Sequence, residues 1–357
     1  MLNRVFDTYL HSYIKVLEGL GLVEWRTNFD RSKIANRSLV ILDEAKKRKI
    51  PVQVLHLKGE PKRFFKAKLP SGQLLFEIMP LVKSYRKSTQ ATVDHKMKMK
   101  LHLKKLDAPV VDSFVFRNAN RAINFSKYLS FPVVIKPTYG SLSRGVTVNI
   151  KSDKELQEAI QEAKKFYPSF IMEKYVCGES YRVTLVNFQY IAAAKRIPAN
   201  IVGTGRHTIR DLVAIKNLDD IRGEPEKLDT TLHQICLNED AKNFLAKQGL
   251  AKDSIPAQGE RIFLGNKVNL GSGADIIDVT EKMHQKTRSI LEEVAMLFDA
   301  RVLGVDIVVS DISKPLTKEN GAIIELNSYP YIDMHHFPYQ GRSRNVAAAI
   351  WQMILSN

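Results

Sequence analysis

Two β-rich runs joined by a glycine-bearing turn constrain the fold of this chain more than any other part of its sequence. PVVIKP (132–137) and GVTVNI (145–150) are strand candidates, and TYGSLSR (138–144) lies between them. Glycine permits positive φ and lets backbone N–H groups approach a phosphate, so the turn can form a phosphate-binding loop. It has neither the Gly-Lys-Ser/Thr ending of a P-loop nor a Rossmann fingerprint, and taken alone it is more often an ordinary hairpin turn.

Lys136 lies at the end of the first of these runs. A buried ammonium without a partner is costly, so a lysine in an apolar strand needs an explanation. A phosphate within reach would supply a charge-assisted partner. The alternative is a strand-end lysine whose stem is buried while its charged head reaches solvent.

Three side chains whose oxygen atoms could bind a metal lie on two later strand candidates. GVDIVV contains Asp306, and IIELN contains Glu325 and Asn327, which are two residues apart and therefore on one face of a strand. Mg²⁺ favours carboxylates combined with nucleotide phosphates, so the three residues could form its site. Charges that protect a sheet edge against aggregation explain the same pattern equally well.

Arginine and histidine side chains accompany these acids along the chain. Arg182 and Arg196 lie in strand candidates, and Arg344 precedes the last predicted helix. Arginine is suited to bidentate binding of carboxylate or phosphate, although a surface position is the commoner explanation for any single one. His335 and His336 are neighbours whose side chains point apart, so the pair gives little support to a metal site.

The order of helix and strand patterns predicts an α+β or α/β protein. An amphipathic helix at 38–49 precedes a strand and a hairpin that turns at Pro70-Ser71-Gly72. A lysine-rich helix is expected at 94–106, and Ser152 with Glu155 forms a capping-box pattern ahead of another helix.

The pattern divides the chain into three modules. Residues 205–260 are more polar and are predicted to be mostly helical, and a second β-rich block follows them. We expect an N-terminal α/β module at 1–90, a second module at 91–205 and a third at 206–357.

The net charge of +16, from 54 Lys and Arg against 38 Asp and Glu, also needs an explanation. Nucleic-acid binding is one. The lysines are spread out, however, and the densest run, at 96–105, falls in the predicted helix. A solvated helix face, or lysines that meet nucleotide phosphates or an anionic substrate, explains the charge better.

Composition excludes several classes of protein. The hydrophobic fraction of 44% and the charged fraction of 26% are typical of a globular protein. No run approaches the roughly 20 apolar residues that span a bilayer, and the N-terminus does not resemble a secretory signal. Cys177 and Cys236 provide neither a disulfide framework nor a zinc site, so we expect a cytoplasmic location.

Taken in order, these segments resemble the ATP-grasp superfamily, and within it the ATP-grasp module of cyanophycin synthetases and of bifunctional glutathione synthetases. The resemblance is carried from about 90 to 350 by DHKMKMKLHLKKLDAPV, FPVVIKPTYGSLSRGVTVNI, FIMEKYVCGESYRVTLVN, VLGVDIVVSD and AIIELNSYPYIDMHHFPYQGRSRNVAAAI. It implies an ATP-grasp fold, in which two α+β subdomains grip ATP, preceded by a small α/β N-terminal domain.

The resemblance implies roles for the matching residues. The loop from Gly140 to Gly145 corresponds to a glycine-rich lid. In the adenine hinge, Glu173 would take the amino group and Val176 a backbone contact. The nucleotide-binding residues would be Lys96, Lys136, Tyr139, Gly140, Ser141, Ser143, Arg144, Gly145, Glu173, Lys174, Tyr175, Val176 and Glu179. The metal ligands would be Asp306, Glu325 and Asn327, the catalytic residues Arg196, Arg182 and Lys136, and the substrate-binding residues Arg196, His335 and Arg344.

The chain also departs from the family pattern. Ser180 stands where a ribose-binding acid is usual, with Glu179 beside it as a substitute. The segment NLGSGAD has one glycine where relatives often have a pair. The sequence also shows neither the second ligase domain of cyanophycin synthetases nor a γ-glutamylcysteine ligase domain, so the substrate cannot be inherited from either relative.

The function that the resemblance implies is ATP-dependent joining of a carboxylate to an amine through an acyl phosphate. ATP and two Mg²⁺ ions, replaceable by Mn²⁺, would be the cofactors, and the substrate an amino acid or short acidic peptide. We expect neither a nucleic-acid nor a membrane partner, and a homo-oligomer, dimer or tetramer. Two alternatives stay open: ester or macrolactam formation on a peptide, and a non-catalytic ATP-binding module.

Overall fold

The computed structural model describes residues 14–81, 87–140 and 144–356. The helices are α1 (its described part at 14–19), α2 (Asn36–Lys47), α3 (Lys87–Val93), α4 (Lys96–Lys105), α5 (Ala119–Leu129), α6 (Asp153–Lys164), α7 (Ile209–Asn217), α8 (Glu239–Ala246), α9 (Gln285–Leu297), α10 (Asp333–His336) and α11 (Val346–Leu355). The strands are β1 (Val23–Arg26), β2 (Val52–Leu57), β3 (Glu60–Leu69), β4 (Gly72–Glu77), β5 (Ser113–Phe116), β6 (Val133–Pro137), β7 (Thr147–Ile150), β8 (Phe170–Lys174), β9 (Glu179–Val186), β10 (Gln189–Ile197), β11 (Asn200–Val202), β12 (Arg222–Gly223), β13 (Leu232–His233), β14 (Arg261–Phe263), β15 (Asp275–Asp278), β16 (Val302–Val309) and β17 (Gly321–Asn327).

Strands β1 to β4 form an antiparallel N-terminal sheet in sequential order, and β3 and β4 make the hairpin that the sequence predicts. Helix α2 packs against this sheet and against α11. Trp351 of α11 is fully buried, and its indole N–H donates to the carbonyl oxygen of Ile41 at 2.9 Å. The N-terminal sheet therefore shares its apolar core with the C-terminal part of the chain.

The middle sheet has the order β5-β8-β6-β7, and the strands on either side of the glycine-bearing turn are antiparallel neighbours. Helices α5 and α6 cover it, and the apolar face predicted for α6 is buried. The Ser152 side chain accepts from the backbone N–H of Glu155 at 3.3 Å, which confirms the cap. The Glu155 side chain instead accepts from the backbone N–H of Lys151, so the reciprocal half of a capping box is not formed.

The large sheet has the order β15-β10-β9-β16-β17, with antiparallel neighbours throughout. Because side chains alternate along a strand, one face carries Val183 and Val305 into the main core, which α9 and α11 also enter. The opposite face carries charged side chains and is the face on which the site forms.

Residues 205–260 are not mostly helical, and that prediction is wrong. Helices α7 and α8 lie in this segment, and between them the chain runs through turns and the two-residue strands β12 and β13. The intervening sequence NLDDIRGEPEKLDTT is rich in Asp, Asn, Gly and Pro, which favour turns over helix. Its apolar residues form a small core together with residues of the flanking strands β11 and β14.

The module boundaries near 90 and 205 stay predictions. Strands β9 and β10 precede residue 205, yet they pair with β15 and β16, which follow it. The charged face of the large sheet and the strands β6, β7 and β8 of the middle sheet border one cavity. Among the described helices, none is long and apolar enough to cross a membrane.

Candidate active site

A cavity of about 300 Å³ lies between the middle sheet and the large sheet. Its walls combine an apolar part with cationic and acidic side chains. The lining residues are Lys96, Val134, Lys136, Pro137, Tyr139, Gly140, Arg144, Val146, Val148, Glu173, Lys174, Tyr175, Val176, Gly178, Ser180, Arg196, Asn266, Lys267, Val268, Asp306, Ile307, Val308, Ile324 and Glu325. Such a mixture suits a ligand with a flat apolar part and several negative charges.

A row of charged residues crosses the large sheet on its cavity face. Arg182 of β9 lies directly opposite Asp306 of β16, and Asp306 lies directly opposite Glu325 of β17. Arg196 of β10 lies opposite Ser180 of β9, two residues from Arg182. Strand pairing alone therefore brings side chains separated by more than 140 residues of sequence to one face.

Asp306 is held by both arginines of this row. Arg182 donates through Nε to Oδ1 at 2.5 Å and through a terminal nitrogen to Oδ2 at 3.1 Å, and Arg196 approaches Oδ2 at 3.4 Å. Burial raises the pKa of Asp306, but the two guanidinium groups outweigh it and hold that pKa below its ordinary value. The carboxylate therefore stays ionised at neutral pH.

A second charged cluster lies under the middle sheet. Oε1 of Glu173 accepts from Nζ of Lys100 at 2.6 Å, from Nζ of Lys136 at 2.8 Å and from Oγ of Ser113 at 2.8 Å. Lys136 thus has a carboxylate partner, and neither an unpaired ammonium nor a solvent-exposed head describes it. Lys100 is 2% exposed, so the lysine-rich helix α4 is not simply a solvated face.

Lys96, at the first turn of α4, lies between Gly140, where the predicted lid begins, and Glu325 of the large sheet. Its Nζ donates to the carbonyl oxygen of Gly140 at 2.8 Å and lies 3.7 Å from Oε1 of Glu325. His95 caps the same helix, because its Nδ1 accepts from the backbone N–H groups of Met97 and Lys98. The ammonium of Lys96 is thereby placed in the cavity beside a predicted metal ligand.

Comparison with known proteins identifies the architecture that carries this site. A family model described as the carbamoyl-phosphate synthase L chain, ATP binding domain, matches residues 95–183. The crystal structure of a bifunctional glutathione synthetase from Pasteurella multocida matches with a TM-score of 0.70 and 27% identity, over 90% of this chain and 44% of that chain. The chain has the ATP-grasp fold.

Curated relatives with this ATP-grasp region are much longer proteins. Cyanophycin synthetase of Crocosphaera subtropica is 38% identical over 226 residues, which are 63% of this chain and 26% of that protein. The glutathione biosynthesis bifunctional protein GshAB of Pasteurella multocida is 30% identical over 268 residues, 73% of this chain and 35% of that protein. The chain spans about a quarter to a third of their length. The resemblance that the motifs indicate is confirmed.

The predicted hinge of the ATP-grasp site borders the cavity through Glu173, Lys174, Tyr175 and Val176. Lys174 is also structural, because its Nζ donates to the carbonyl oxygen of Ser130 at 3.0 Å. One oxygen of Glu173 is occupied by the two lysines and Ser113. Any contact of Glu173 with an adenine amino group therefore falls to Oε2.

Glu179, the expected substitute for a ribose-binding acid, lies outside the cavity lining. It forms an exposed ion pair with Lys195 at 3.1 Å. Neighbouring strand residues point to opposite faces, so Ser180 and not Glu179 borders the cavity. Ser180 accepts from Arg196 at 2.8 Å.

The glycine-rich lid is described only at its two ends. Gly140 and Arg144 border the cavity, whereas Ser141 and Ser143 lie outside the described residues. Gly145 does not line the cavity, but its φ of +66° and its neighbours require glycine. A Cβ there would lie 2.6 Å from Cδ2 of Phe166 and 2.9 Å from Cγ of Pro137. Glycine is therefore required at the C-terminal end of the predicted lid.

Three expected residues do not line the cavity. Arg182 is buried beside Asp306 and paired with it. His335 is buried with Nε2 2.8 Å from Oγ1 of Thr184, and burial with the nearby Arg182 lowers its pKa to about 3, which keeps the ring neutral. Arg344 is tied to Asp278 at 2.7 Å and to Glu281 at 2.9 Å. The structure does not bring Arg344 to the cavity.

The residues predicted to bind metal fit a Mg²⁺ ion whose ligands come partly from the protein and partly from a nucleotide. Asp306 and Glu325 face each other across the strand pair, and Asn327 follows on the same face. Within residues 14–81, 87–140 and 144–356, no group of three or more His, Cys, Asp and Glu is placed to hold a metal alone. Two carboxylates and an amide leave positions for phosphate oxygens and water, which is the arrangement that Mg²⁺ favours.

Several residues of the site are not predicted from the sequence. Lys100 was hidden within a lysine-rich helix, and Asn266 to Val268 lie in a loop without a chemical signature. Val134, Val146 and Val148 form the apolar wall on β6 and next to it. The signal available for these valines was their spacing, since each lies two residues from Lys136 or from another wall valine.

Proposed function

We propose that the protein is an ATP-dependent ligase that activates a carboxylate as an acyl phosphate and joins it to an amine. The observation that carries the proposal is the set of charged residues Arg196, Asp306 and Glu325, which border the ATP-grasp cavity together with Lys96 and Lys136. Arg182 lies in the same row and binds Asp306 from outside the lining. Phosphoryl transfer followed by acyl transfer requires three kinds of group. These are acids that bind a metal together with the phosphates, cations that bind the phosphates, and an arginine close to both.

The chain's own residues divide this work. Lys96 and Lys136 bind phosphate oxygens, and the lid between Gly140 and Gly145 excludes water that would hydrolyse the acyl phosphate. Arg196 borders the cavity and stabilises the oxyanion that forms when the amine attacks. When bound by Asp306, Glu325 and Asn327, Mg²⁺ supplies charge neutralisation at the phosphates. Arg182 keeps Asp306 ionised and oriented.

The proposed substrate is an amino acid or a short acidic peptide. The net charge of +16 favours a ligand with several carboxylates, because a positive field raises the local concentration of anions. A cytoplasmic location and a homo-oligomeric state belong to the same proposal.

The test is a screen of ADP release with Mg²⁺-ATP over amino acids and dipeptides, each offered in pairs as carboxylate donor and amine acceptor. Turnover that requires both partners, with an amide product seen by mass spectrometry, supports the ligase. A protein that binds ATP but releases no ADP with any pair of acid and amine contradicts it. An ester product with a hydroxyl acceptor contradicts the amide assignment.

Glu325→Ala tests the metal assignment within the same screen. We expect turnover to fall more than about 100-fold, since the change removes a predicted ligand of the metal that would also bind the phosphates. Glu158→Ala is the matched control, because Glu158 is exposed on α6, away from the cavity lining. Full activity of Glu325→Ala would refute the assignment.

A further inference from the structure

The cluster of Lys100, Lys136 and Glu173 has an imbalance of charge. Two ammonium groups and one carboxylate, each at most 5% exposed, meet at a single oxygen, Oε1 of Glu173. A buried cluster with one excess positive charge is unfavourable unless an anion lies close to it. Lys136 is the member that borders the cavity together with Glu173, so the excess charge is available there.

Lys100 determines how much of that charge Lys136 retains. If Lys100 were absent, Glu173 and Lys136 would form a neutral one-to-one pair, and the ammonium of Lys136 would be satisfied by its own carboxylate. With Lys100 bound to the same oxygen at 2.6 Å and to Oγ of Ser113 at 2.7 Å, the carboxylate is shared. Lys136 then keeps charge and hydrogen-bond donors for a second anion.

Helix α4 supplies lysines to both sides of this arrangement. Lys96 and Lys100 are four residues apart and therefore on one face of the helix. Lys96 reaches the carbonyl oxygen of Gly140 directly, whereas Lys100 does not line the cavity and donates to Glu173 and Ser113.

We propose that Lys100 is a positioning residue for the nucleotide phosphates, because it shares Glu173 with Lys136 and so preserves the positive charge of Lys136 toward the cavity. The inference rests on the proposed function, since it takes ATP as the anion. It concerns a residue with no phosphate contact of its own.

The cluster is surrounded by a small set of other charged groups. Lys100 faces Glu173 of β8, Lys136 of β6 and, at longer range, Glu325 of β17, while Ser113 of β5 is its neutral neighbour. Burial and the neighbouring Lys136 lower the pKa of Lys100 to about 8. An anion bound at Lys136 favours the protonated form of Lys100, so nucleotide binding and protonation are linked.

The experiment measures Mg²⁺-ATP binding by isothermal titration calorimetry, without the other substrates, for wild type, Lys100→Met and Lys104→Met. Lys104 lies on the same helix with its side chain 51% exposed and paired with Asp112, so it controls for loss of one helix lysine. We expect Lys100→Met to weaken binding about tenfold or more, without loss of thermal stability because a desolvated ammonium is removed. Lys104→Met should bind as wild type does.

The pH profile separates positioning from a merely structural role. Wild-type affinity should fall as pH rises above about 8, where Lys100 loses its proton. Lys100→Met should show no such fall, and Lys100→Arg, which stays charged, should retain affinity at pH 9. Unchanged affinity in Lys100→Met, or the same pH profile as wild type, overturns the inference alone. A wild-type protein that does not bind Mg²⁺-ATP overturns both the inference and the proposed function.

Discussion

Glu173→Gln is the substitution whose effect on stability follows most directly from the structure. The side chain is 2% exposed, and one of its oxygens accepts from two lysines and a serine. Burial raises the pKa of Glu173, but Lys136 and Lys100 lower it by a larger amount. The resulting pKa is about 2, against an ordinary value of 4.5. At about 1.4 kcal/mol per pH unit, this difference corresponds to about 3 kcal/mol of stabilisation at neutral pH.

Glutamine keeps the shape of Glu173 but removes the counter-ion of two buried ammonium groups. Breaking such a buried pair costs about 3–5 kcal/mol, so the free energy of unfolding should fall by about that amount. Urea denaturation at pH 7 measures it, with the exposed Glu158→Gln as a control expected within about 0.5 kcal/mol of wild type. Adding Lys100→Met to Glu173→Gln should recover part of the loss, because one uncompensated ammonium is then removed.

The pH dependence gives the sign of the effect. A carboxyl group whose pKa is lowered on folding contributes stability above its unfolded pKa and loses that contribution as pH falls toward its folded pKa. The difference between wild type and Glu173→Gln should therefore be largest above pH 4.5 and shrink between pH 4.5 and about 2. A loss below about 1 kcal/mol at pH 7, or a difference that does not change over this range, would refute the electrostatic argument.

Three further predictions concern Gly145, Trp351 and the titration of Lys100. Gly145→Ala should destabilise the base of the lid by about 1–3 kcal/mol and weaken Mg²⁺-ATP binding, because φ is +66° and the new Cβ meets Phe166; calorimetry and denaturation measure both. Trp351→Ala should cost about 3–5 kcal/mol in urea, since it removes a fully buried ring and the hydrogen bond to Ile41. The free energy of unfolding should rise between pH 8 and 10.5 through Lys100, which releases its proton at lower pH in the folded state than in the unfolded one, and this rise should be absent in Lys100→Met.

The sequence predicts the regular parts of this fold because their patterns are local. The hairpin at 70–72, the helix before β2 and the strands on either side of the lid follow from hydrophobic periodicity and turn residues. The segment at 205–260 does not, because its polar composition suits turns and short helices alike. Its small core brings together residues that are distant in sequence, such as Ile209 and Ile262 of the flanking strand β14.

The site is predictable where its residues lie on strands of known register. Asp306 and Glu325 come together because β16 and β17 pair directly, and the family pattern supplies that pairing. The ion pairs between these residues and others cannot be predicted in the same way. The Asp306 pair with Arg182 and the Arg344 pair with Asp278 each depend on the order of strands or loops in space, which spacing along the chain does not contain.

The spacing of lysines in helix α4 is a signal of a binding site that can be read from the sequence. Lys96, Met99, Lys100 and Leu103 lie at i, i+3, i+4 and i+7, which is the face that a helix normally buries. Met99, Lys100 and Leu103 are buried, and Lys96 borders the cavity, so two charges occupy a face that should be apolar. A charged residue on the buried face of a helix needs a counter-ion or a ligand. Lysines at such positions therefore indicate a binding site more strongly than the total charge of the helix does.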